Sequence, residues 1–108
     1  RNPGAVKLSD GSIRNAYTVR LPNKRGFDRV IAIDVDGPVN AKLHVVGVDS
    51  VTNDRAMIVL GRDQTTELRL LVTAPADSNP EKSVPVHFRV TDIGLGEVAT
   101  ATDHFVSP

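Results

Sequence analysis

The sequence predicts an all-β fold, a two-layer antiparallel β-sandwich of seven or eight strands, from three observations. Apolar and polar residues alternate with a period of two in almost every segment, as in strands with one face on a core and the other in water. β-Branched residues, which pack well on a pleated surface, are abundant, with 16 Val, 8 Thr and 5 Ile. The 8 Gly and 7 Pro fall mostly between the alternating segments, where turns are expected.

Eight segments are predicted to be strands. The alternation is clearest in residues 15–21, where Tyr17, Val19 and Leu21 share the face that is expected to lie on the core. No segment shows a sustained helical period. In chain order, the predicted strands are residues 5–8, 15–21, 29–36, 42–48, 56–60, 66–73, 83–91 and 98–105.

Turn-forming residues separate these strands, at Asp10 and Gly11, at residues 22–26, 36–38, 75–80 and 94–96, and at Gly61. The longest gap, residues 74–82, is polar and Pro-rich, so we expect no regular structure there. Pro85 interrupts a predicted strand and removes a backbone donor. This predicts that its end of the strand lies at an edge or faces solvent.

The number and length of the strands are typical of an immunoglobulin-like, fibronectin-like sandwich, formed by a single domain over residues 1–108. The chain has no Cys and no Trp, so the disulfide and Trp that pin antibody domains are absent. We therefore expect aliphatic packing to hold the two sheets together. A small β-barrel is the alternative fold.

Composition argues against several functional classes. The 13 basic and 13 acidic residues give zero formal charge, which argues against a nucleic-acid-binding face. The absence of Cys excludes a disulfide framework, an iron–sulfur cluster and a thiolate metal site within this segment. No apolar run has the length of a transmembrane helix, and none resembles a secretory signal peptide. Because the sequence starts at Arg1, we expect a fragment or a processed product.

Two short motifs resemble ligand-binding loops but are better interpreted as turns. Residues 94–99 match a dinucleotide-binding pattern, yet the next residues read as a strand instead of the helix that would hold a pyrophosphate. Residues 34–37 begin like a calcium loop, but Val39 and Val45 stand where that loop needs Gly and Glu. Ser12 lies outside any nucleophile-elbow motif, and no catalytic residue is predicted.

Three histidines and one methionine leave a copper site open as an alternative. His44, His87, His104 and Met57 come from four different predicted strands and supply ligand types that bind copper. His44 and His87 alternate with core residues, so surface positions are the preferred interpretation, and no metal or other cofactor is predicted in this domain. A separation of about 4–5 Å between two of these side chains would favour the copper site.

A basic cluster, defined as Arg20, Lys24, Arg25 and Arg29, surrounds the predicted turn at residues 21–28. It permits contact with an acidic partner or with lipid headgroups. Short surface clusters of this kind are more often solvated turns without a specific partner, which is the interpretation we prefer.

Part of the chain resembles the C-terminal domain of the FixG (CcoG) family, which are bacterial cytochrome c oxidase accessory proteins. The resemblance is carried by Arg1-Asn2-Pro3, by residues 6–19 (VKLSDGSIRNAYTV) and by Asn23-Lys24. Its specific part is the LSDGSIRNAYT core within the first 24 residues. The remainder matches as a pattern of alternating strands with residues 35–37 (VDG) and a closing Phe105 before Pro108.

The resemblance implies that this is the periplasmic C-terminal immunoglobulin-like domain of a bacterial inner-membrane redox protein. The transmembrane helices and cytoplasmic iron–sulfur clusters of such a protein lie upstream, and none of the cluster-binding residues can be carried onto this chain. The family is associated with maturation of the cbb-type oxidase through copper handling and reduction. We therefore expect a non-catalytic interaction or positioning domain whose partner is a protein, either its own membrane domain or an oxidase assembly component.

Two alternatives to that function remain. One is a copper-contacting domain that uses the surface His and Met side chains. The other is an unrelated extracellular adhesion or sugar-binding module, which Tyr17 and three Phe at inward or turn positions do not favour. Within the LSDGSIRNAYT core, Asp10 and Gly11 are expected to form a turn, and Ser12 and Asn15 to bond local backbone groups. The rival interpretation is that this loop docks on another protein.

Overall fold

Two antiparallel sheets packed face to face make up the computed structural model, which describes residues 4–48, 51–52, 55–78 and 82–108. The described residues form nine strands. They are β1 (Val6–Lys7), β2 (Ile13–Asn23), β3 (Arg29–Asp36), β4 (Lys42–Val45), β5 (Val51–Thr52), β6 (Arg55–Leu60), β7 (Gln64–Ala74), β8 (Ser83–Asp92) and β9 (Val98–Val106). The prediction of an all-β sandwich is confirmed, and the separate sheets exclude the alternative barrel.

The first sheet has the strand order β1-β2-β7-β4, and the second has the order β5-β6-β3-β8-β9. β2 and β7 pair along their whole length, from Ile13 opposite Ala74 to Asn23 opposite Gln64. β9 pairs with β8 from Ser83 opposite Val106 to Thr91 opposite Val98. Because β2 and β9 each lie at or near an edge of their own sheet, one side of the sandwich is bounded by these two strands.

The core lies between the sheets and is mainly aliphatic. It takes the inward residue of each alternating pair, as the period-two pattern predicts. The rings of Tyr17 and Phe88 meet edge to face with centroids 5.1 Å apart. Other buried core residues are Ile31, Ile33, Val35, Leu43, Val45, Ala56, Ile58, Leu60, Leu68, Leu70, Val72, Ala74, Val86 and Phe105.

Apart from shifts of one residue at strand ends, the predicted strand layout needs four corrections. The structure adds β5, which is only two residues long and shows no alternation, so nine strands replace the predicted seven or eight. The strand predicted for residues 42–48 ends at Val45, because Val48 N–H turns back to the Val45 carbonyl and Gly47 adopts φ 82°. β2 and β7 are longer than predicted, at 11 residues each, since they pair with each other to their ends.

The fourth correction concerns residues 74–82, which were expected to lack regular structure. Ala74 belongs to β7, and Ala76–Ser78 forms one turn of 3₁₀-helix. Both the amide and the hydroxyl of Ser78 donate to the Pro75 carbonyl, at 3.0 and 2.7 Å. The hydroxyl thus supplies a local bond that stabilises the turn. Residues 79–81 lie outside the described part of the chain.

The turn predictions at both ligand-like motifs are confirmed. Residues 94–96 lie in the turn between β8 and β9, where Gly96 N–H donates to the Asp92 carbonyl at 2.8 Å. β3 ends at Asp36, directly before Gly37. The pairing of β8 with β3 stops at His87. Pro85 lies beyond that point, where β8 has only β9 as a neighbour, so this end of the strand is at an edge as predicted. Within the described residues, no helix has the length and apolarity needed to cross a membrane.

Candidate functional site

The family-like stretch at the start of β2 holds the two sheets together. Asn15 is fully buried, donates from Nδ2 to the Val106 carbonyl at 2.9 Å and accepts from the Val106 amide at 3.0 Å. Tyr17 donates its hydroxyl to the His104 carbonyl at 2.9 Å. Both residues lie on β2 in the first sheet, and both partners lie on β9 in the second. We call these three hydrogen bonds the Asn15–Tyr17 clamp.

Asn15 was expected to bond a local backbone group, whereas its two bonds to Val106 reach 91 residues along the chain. A signal was present in the sequence, since Asn15 has the same inward parity as Tyr17 and a polar residue there must find a buried partner. Burial of the Tyr17 phenol, together with the nearby charge of Asp103, raises its pKa well above the ordinary value of 10.0.

The Asp10–Gly11 turn joins β1 and β2, as predicted, and Gly11 has φ 89°. Asp10 Oδ1 accepts from the Ser12 hydroxyl at 2.6 Å and from the Ser12 amide at 2.9 Å. These bonds lower the pKa of Asp10. The hydroxyl of Ser12 therefore bonds a side chain, where a backbone group was expected.

Asn23, the other polar residue of the resemblance, organises the turn after β2. Its buried Nδ2 group lies within 3.0–3.1 Å of the carbonyls of Phe27, Leu60 and Gly61. Its Oδ1 accepts from the Arg25 amide at 3.1 Å. Asn15, Tyr17 and Asn23 are thus committed to bonds inside the domain, which makes the family-like stretch structural.

Most of the basic cluster is neutralised by carboxylates. Arg20 pairs with Glu67 at 3.0 Å, Arg25 pairs with Glu97 at 2.9 Å, and both pairs are exposed. Of the four residues in the cluster, Lys24 has no ion pair with a described residue, although its side chain is exposed. The cluster is therefore close to neutral, which agrees with the preferred interpretation of a solvated turn.

Arg29 differs from the other members of the cluster because its ion pair is buried. Its Nε donates to Asp92 Oδ2 at 2.6 Å, and Asp92 is only 3% exposed. The Arg29 hydrogen bond, followed by the Leu95 amide bond at 2.7 Å, lowers the pKa of Asp92 despite its burial. Arg29 also reaches Glu97 at 3.5 Å. Sequence analysis missed Asp92, whose inward parity at the end of β8 is the one signal for it.

The three histidines and Met57 are all exposed, as predicted for His44 and His87. His87 and His104 share the outer face of the second sheet on neighbouring strands, since their opposite partners are Thr102 and Pro85. The backbones of such diagonal neighbours lie about 7–8 Å apart, a separation that long side chains can span. His44 is on β4 in the other sheet. Among the described residues, no three His, Cys, Asp or Glu side chains group as metal ligands.

The outer face of the second sheet also carries exposed apolar side chains. Val30 on β3 lies opposite Val59 on β6, and Val98 on β9 lies opposite Thr91 on β8. Val59 and Val98 are 59% and 58% exposed, and Met57, two residues before Val59 on β6, is 38% exposed. This apolar face is bordered by the exposed Arg55–Asp34 ion pair of 3.7 Å.

A deeper apolar feature lies between β2 and β9, and we call it the β2/β9 groove. It encloses about 510 Å³, and its walls include Val19 and Leu21 on one side and Ala99 and Ala101 on the other. Buried core side chains, with Ile31, Ile33, Leu60, Leu70 and Phe88 among them, form its floor. The Asn15–Tyr17 clamp closes one end, and the ion pairs of Arg25 and Arg29 lie at the other.

Comparison with known proteins identifies the family. The chain matches, over residues 1–108, the family model described as "IG-like fold at C-terminal of FixG, putative oxidoreductase". The chain belongs to the FixG family. It is 37% identical over 90 residues to Protein RdxA of Cereibacter sphaeroides, covering 83% of this chain and 18% of RdxA. It is also 37% identical over 75 residues to nitrogen fixation protein FixG of Rhizobium meliloti, covering 69% of this chain and 14% of that protein.

The fold of this FixG-family chain is also similar to a crystal structure of a FixG-related protein from Vibrio parahaemolyticus. The two superpose with a TM-score of 0.74 at 18% identity, over 90% of this chain and 81% of the other. The chain spans less than a fifth of the length of RdxA and FixG. It therefore corresponds to the C-terminal immunoglobulin-like domain named in the family description, and the resemblance drawn from residues 6–19 is confirmed.

Proposed function

We propose that this chain is a non-catalytic, periplasmic interaction or positioning domain of a membrane-bound iron–sulfur redox protein. The parent would act in maturation of a cbb-type cytochrome c oxidase and in copper handling. In this proposal the iron–sulfur clusters and transmembrane helices belong to the part of the parent that precedes this domain. The partner is a protein, either the parent's own membrane domain or an oxidase assembly component.

One observation carries the proposal. The polar residues that mark the family, Asn15, Tyr17 and Asn23, form hydrogen bonds that hold the sandwich together. The family-specific sequence therefore preserves a shape and leaves the exposed faces for recognition. An exposed apolar face and an apolar groove on a rigid sandwich are features that bind proteins.

The proposal is tested in the full-length parent by replacing this domain with an unrelated immunoglobulin-like domain. We expect the iron–sulfur signals of the parent in electron paramagnetic resonance to persist, and the amount of active cbb-type oxidase in the membrane to fall. Loss of the cluster signals would instead assign the domain to the redox centre. Protease treatment of spheroplasts tests the location, since a periplasmic domain is cleaved without membrane lysis.

A copper-contacting role is the second candidate, because His87 and His104 share one face of neighbouring strands. Calorimetric titration with Cu(I), of the chain and of a His87→Ala, His104→Ala double variant, separates the two candidates. The interaction-domain proposal expects no stoichiometric submicromolar site in either protein. Such a site in the unmodified chain, lost in the double variant, would establish the copper role.

A further inference from the structure

From the geometry of the β2/β9 groove we infer that it binds an extended segment of a partner protein, which adds as an antiparallel strand to the free edge of β9. The segment carries a basic residue followed by two apolar residues at alternate positions, in the pattern basic-x-apolar-x-apolar. This inference rests on the proposed function, because it names the surface through which the domain recognises its protein partner.

The edge of β9 lacks most of the features that usually prevent strand addition. In the described part of the chain, β9 pairs only with β8, which leaves its other edge without a strand partner. It is nine residues long, contains no Pro, Lys or Arg, and keeps an unbroken register without a bulge. Exposed edges are normally protected by short length, Lys, Pro, bulges or inward-pointing charges, and of these β9 has an inward charge at Asp103. Tyr17 and Asn15 already bond the backbone groups at His104 and Val106. The edge from Ala99 to Asp103 is therefore suited to main-chain pairing with an extended segment that brings a basic residue to Asp103.

The inward face of β9 leaves room for the side chains of an added strand. Ala99 and Ala101 lie opposite Val90 and Phe88, so they face the space between the sheets, yet both are exposed. Their small side chains leave the β2/β9 groove open above its buried floor. Apolar side chains that entered from a neighbouring strand would be removed from water there, which favours binding. The stretch from Ala99 to Asp103 accommodates about five residues, or roughly 17 Å.

The negative charge of Asp103, at the end of the groove near the Asn15–Tyr17 clamp, accounts for the basic residue of the segment. Asp103 is the next inward position after Ala101, since it lies opposite Val86. Its carboxylate accepts from the His104 amide and makes no ion pair with a described residue. A cation directly opposite would stabilise the added strand as a cross-strand pair. The inward order Asp103, Ala101, Ala99 therefore matches a partner segment whose facing side chains are, in order, basic, apolar and apolar.

A second copy of this chain fits the groove less well. Paired with itself, β9 would present only Ala99, Ala101, Asp103 and Phe105 at inward positions. The two alanines are too small to fill the groove, and none of the four supplies a cation to Asp103. The observations thus favour a segment of another protein.

The test uses the peptide acetyl-TKTVTVT-amide as the probe and acetyl-TETVTVT-amide as its charge-reversed control, each titrated into the 108-residue chain by NMR. We expect amide shifts along β9 and at Val19 and Leu21, with a dissociation constant of roughly 1 mM or tighter for the Lys peptide. The Glu peptide should bind at least about fivefold more weakly. No shift at these residues up to saturating peptide, or equal binding of both peptides, would overturn the inference.

Two variants on the same strand provide the matched comparison. Ala101→Arg fills the groove and repels the Lys peptide, so binding should weaken by about tenfold or more. Thr102→Arg adds the same charge on the outer face, where binding should change by less than about twofold. Asp103→Asn should abolish the preference for Lys over Glu. Equal effects of the two Arg variants would contradict a groove site.

Two further measurements distinguish the other possible occupants of the β2/β9 groove, which are a second copy of this chain and a segment of the parent. Sedimentation that reveals dimers, with shifts at β9 in the absence of peptide, would assign the groove to a second copy and overturn the inference. Failure of the full-length parent to bind a peptide that the 108-residue chain binds would assign the groove to a segment of the parent and would overturn the inference of a segment from another protein. If Ala101→Arg leaves oxidase maturation by the parent unchanged, the groove site fails while the proposed interaction role stands.

Discussion

Asn15 and Val106 are joined by two hydrogen bonds that link the two sheets through a single side-chain amide. Nδ2 donates to the Val106 carbonyl at 2.9 Å, and Oδ1 accepts from the Val106 amide at 3.0 Å. The amide therefore satisfies a donor and an acceptor of β9 as a paired strand would. Because Asn15 is fully buried, no water can take over either bond.

Replacing Asn15 with Ala is expected to lower the free energy of unfolding by about 2–4 kcal/mol, since it leaves both backbone groups of Val106 without a partner and opens a small cavity. Urea denaturation measures the change. Thr18→Ala, at an exposed position on the same strand, serves as the control and should change stability by less than about 0.5 kcal/mol. Similar losses in both variants would show that the Asn15 bonds do not stabilise the fold.

Tyr17→Phe should cost about 1 kcal/mol at neutral pH, because it removes the hydroxyl bond to His104 and keeps the ring against Phe88. Tyr17→Ala removes the buried ring as well and should cost about 3–5 kcal/mol. Urea denaturation at pH 7 checks both values. A Phe variant as unstable as the Ala variant would assign the whole effect to the hydroxyl.

Tyr17 also predicts how stability changes in alkali. Burial raises its pKa in the folded state above the unfolded value of 10.0, so the neutral phenol is favoured by folding. Its contribution is present below pH 10 and is lost as pH rises from there towards the folded pKa. Tyr17 is the one tyrosine in the sequence, so absorbance of tyrosinate reports it directly. Ionisation should coincide with unfolding, and Tyr17→Phe should lose stability less steeply over the same range.

The strand pattern was readable from the sequence because it follows from burial on alternate positions. Residues 29–36 were predicted within their observed limits, since inward Ile31, Ile33 and Val35 alternate with outward residues. What local patterns could not reveal were partners far apart in the chain. Asn15 and Asp92 occupy inward positions, but only the folded chain shows that they meet Val106 and Arg29. The groove was likewise unreadable, because it depends on which strands become edges.

The ion pairs Arg20–Glu67 and Arg29–Asp92 of the basic cluster should differ in their effect on stability. Arg20→Met removes an exposed pair with Glu67 and should change the free energy of unfolding by less than about 0.5 kcal/mol. Arg29→Met leaves Asp92 buried without its cation, so its midpoint of urea denaturation should fall clearly further. Equal midpoints in the two variants would contradict a structural role for Arg29.

Acid should weaken the ion pair between Arg29 and Asp92. The Arg29 bond lowers the pKa of Asp92 below its ordinary value of 3.8, so the folded state favours the carboxylate. The resulting stabilisation is present above pH 3.8 and is lost as pH falls from there through the folded pKa. Asp92→Asn should remove this part of the acid dependence, which urea denaturation between pH 2 and 5 can measure. An unchanged acid profile in Asp92→Asn would place the dependence on other carboxyl groups.

The turn between β1 and β2 depends on a glycine that has a matched control elsewhere in the chain. Gly11 adopts φ 89°, and a Cβ there would lie 3.1 Å from the Cβ of Ala76, so Gly11→Ala meets both backbone strain and crowding. We expect it to lower the free energy of unfolding by about 1–2 kcal/mol. Gly26 has no heavy atom within 4 Å of a built Cβ and no positive φ, so Gly26→Ala should be neutral or slightly stabilising. Thermal unfolding of both variants tests the pair, and a Gly11→Ala variant as stable as Gly26→Ala would show that the turn can relax without its left-handed residue.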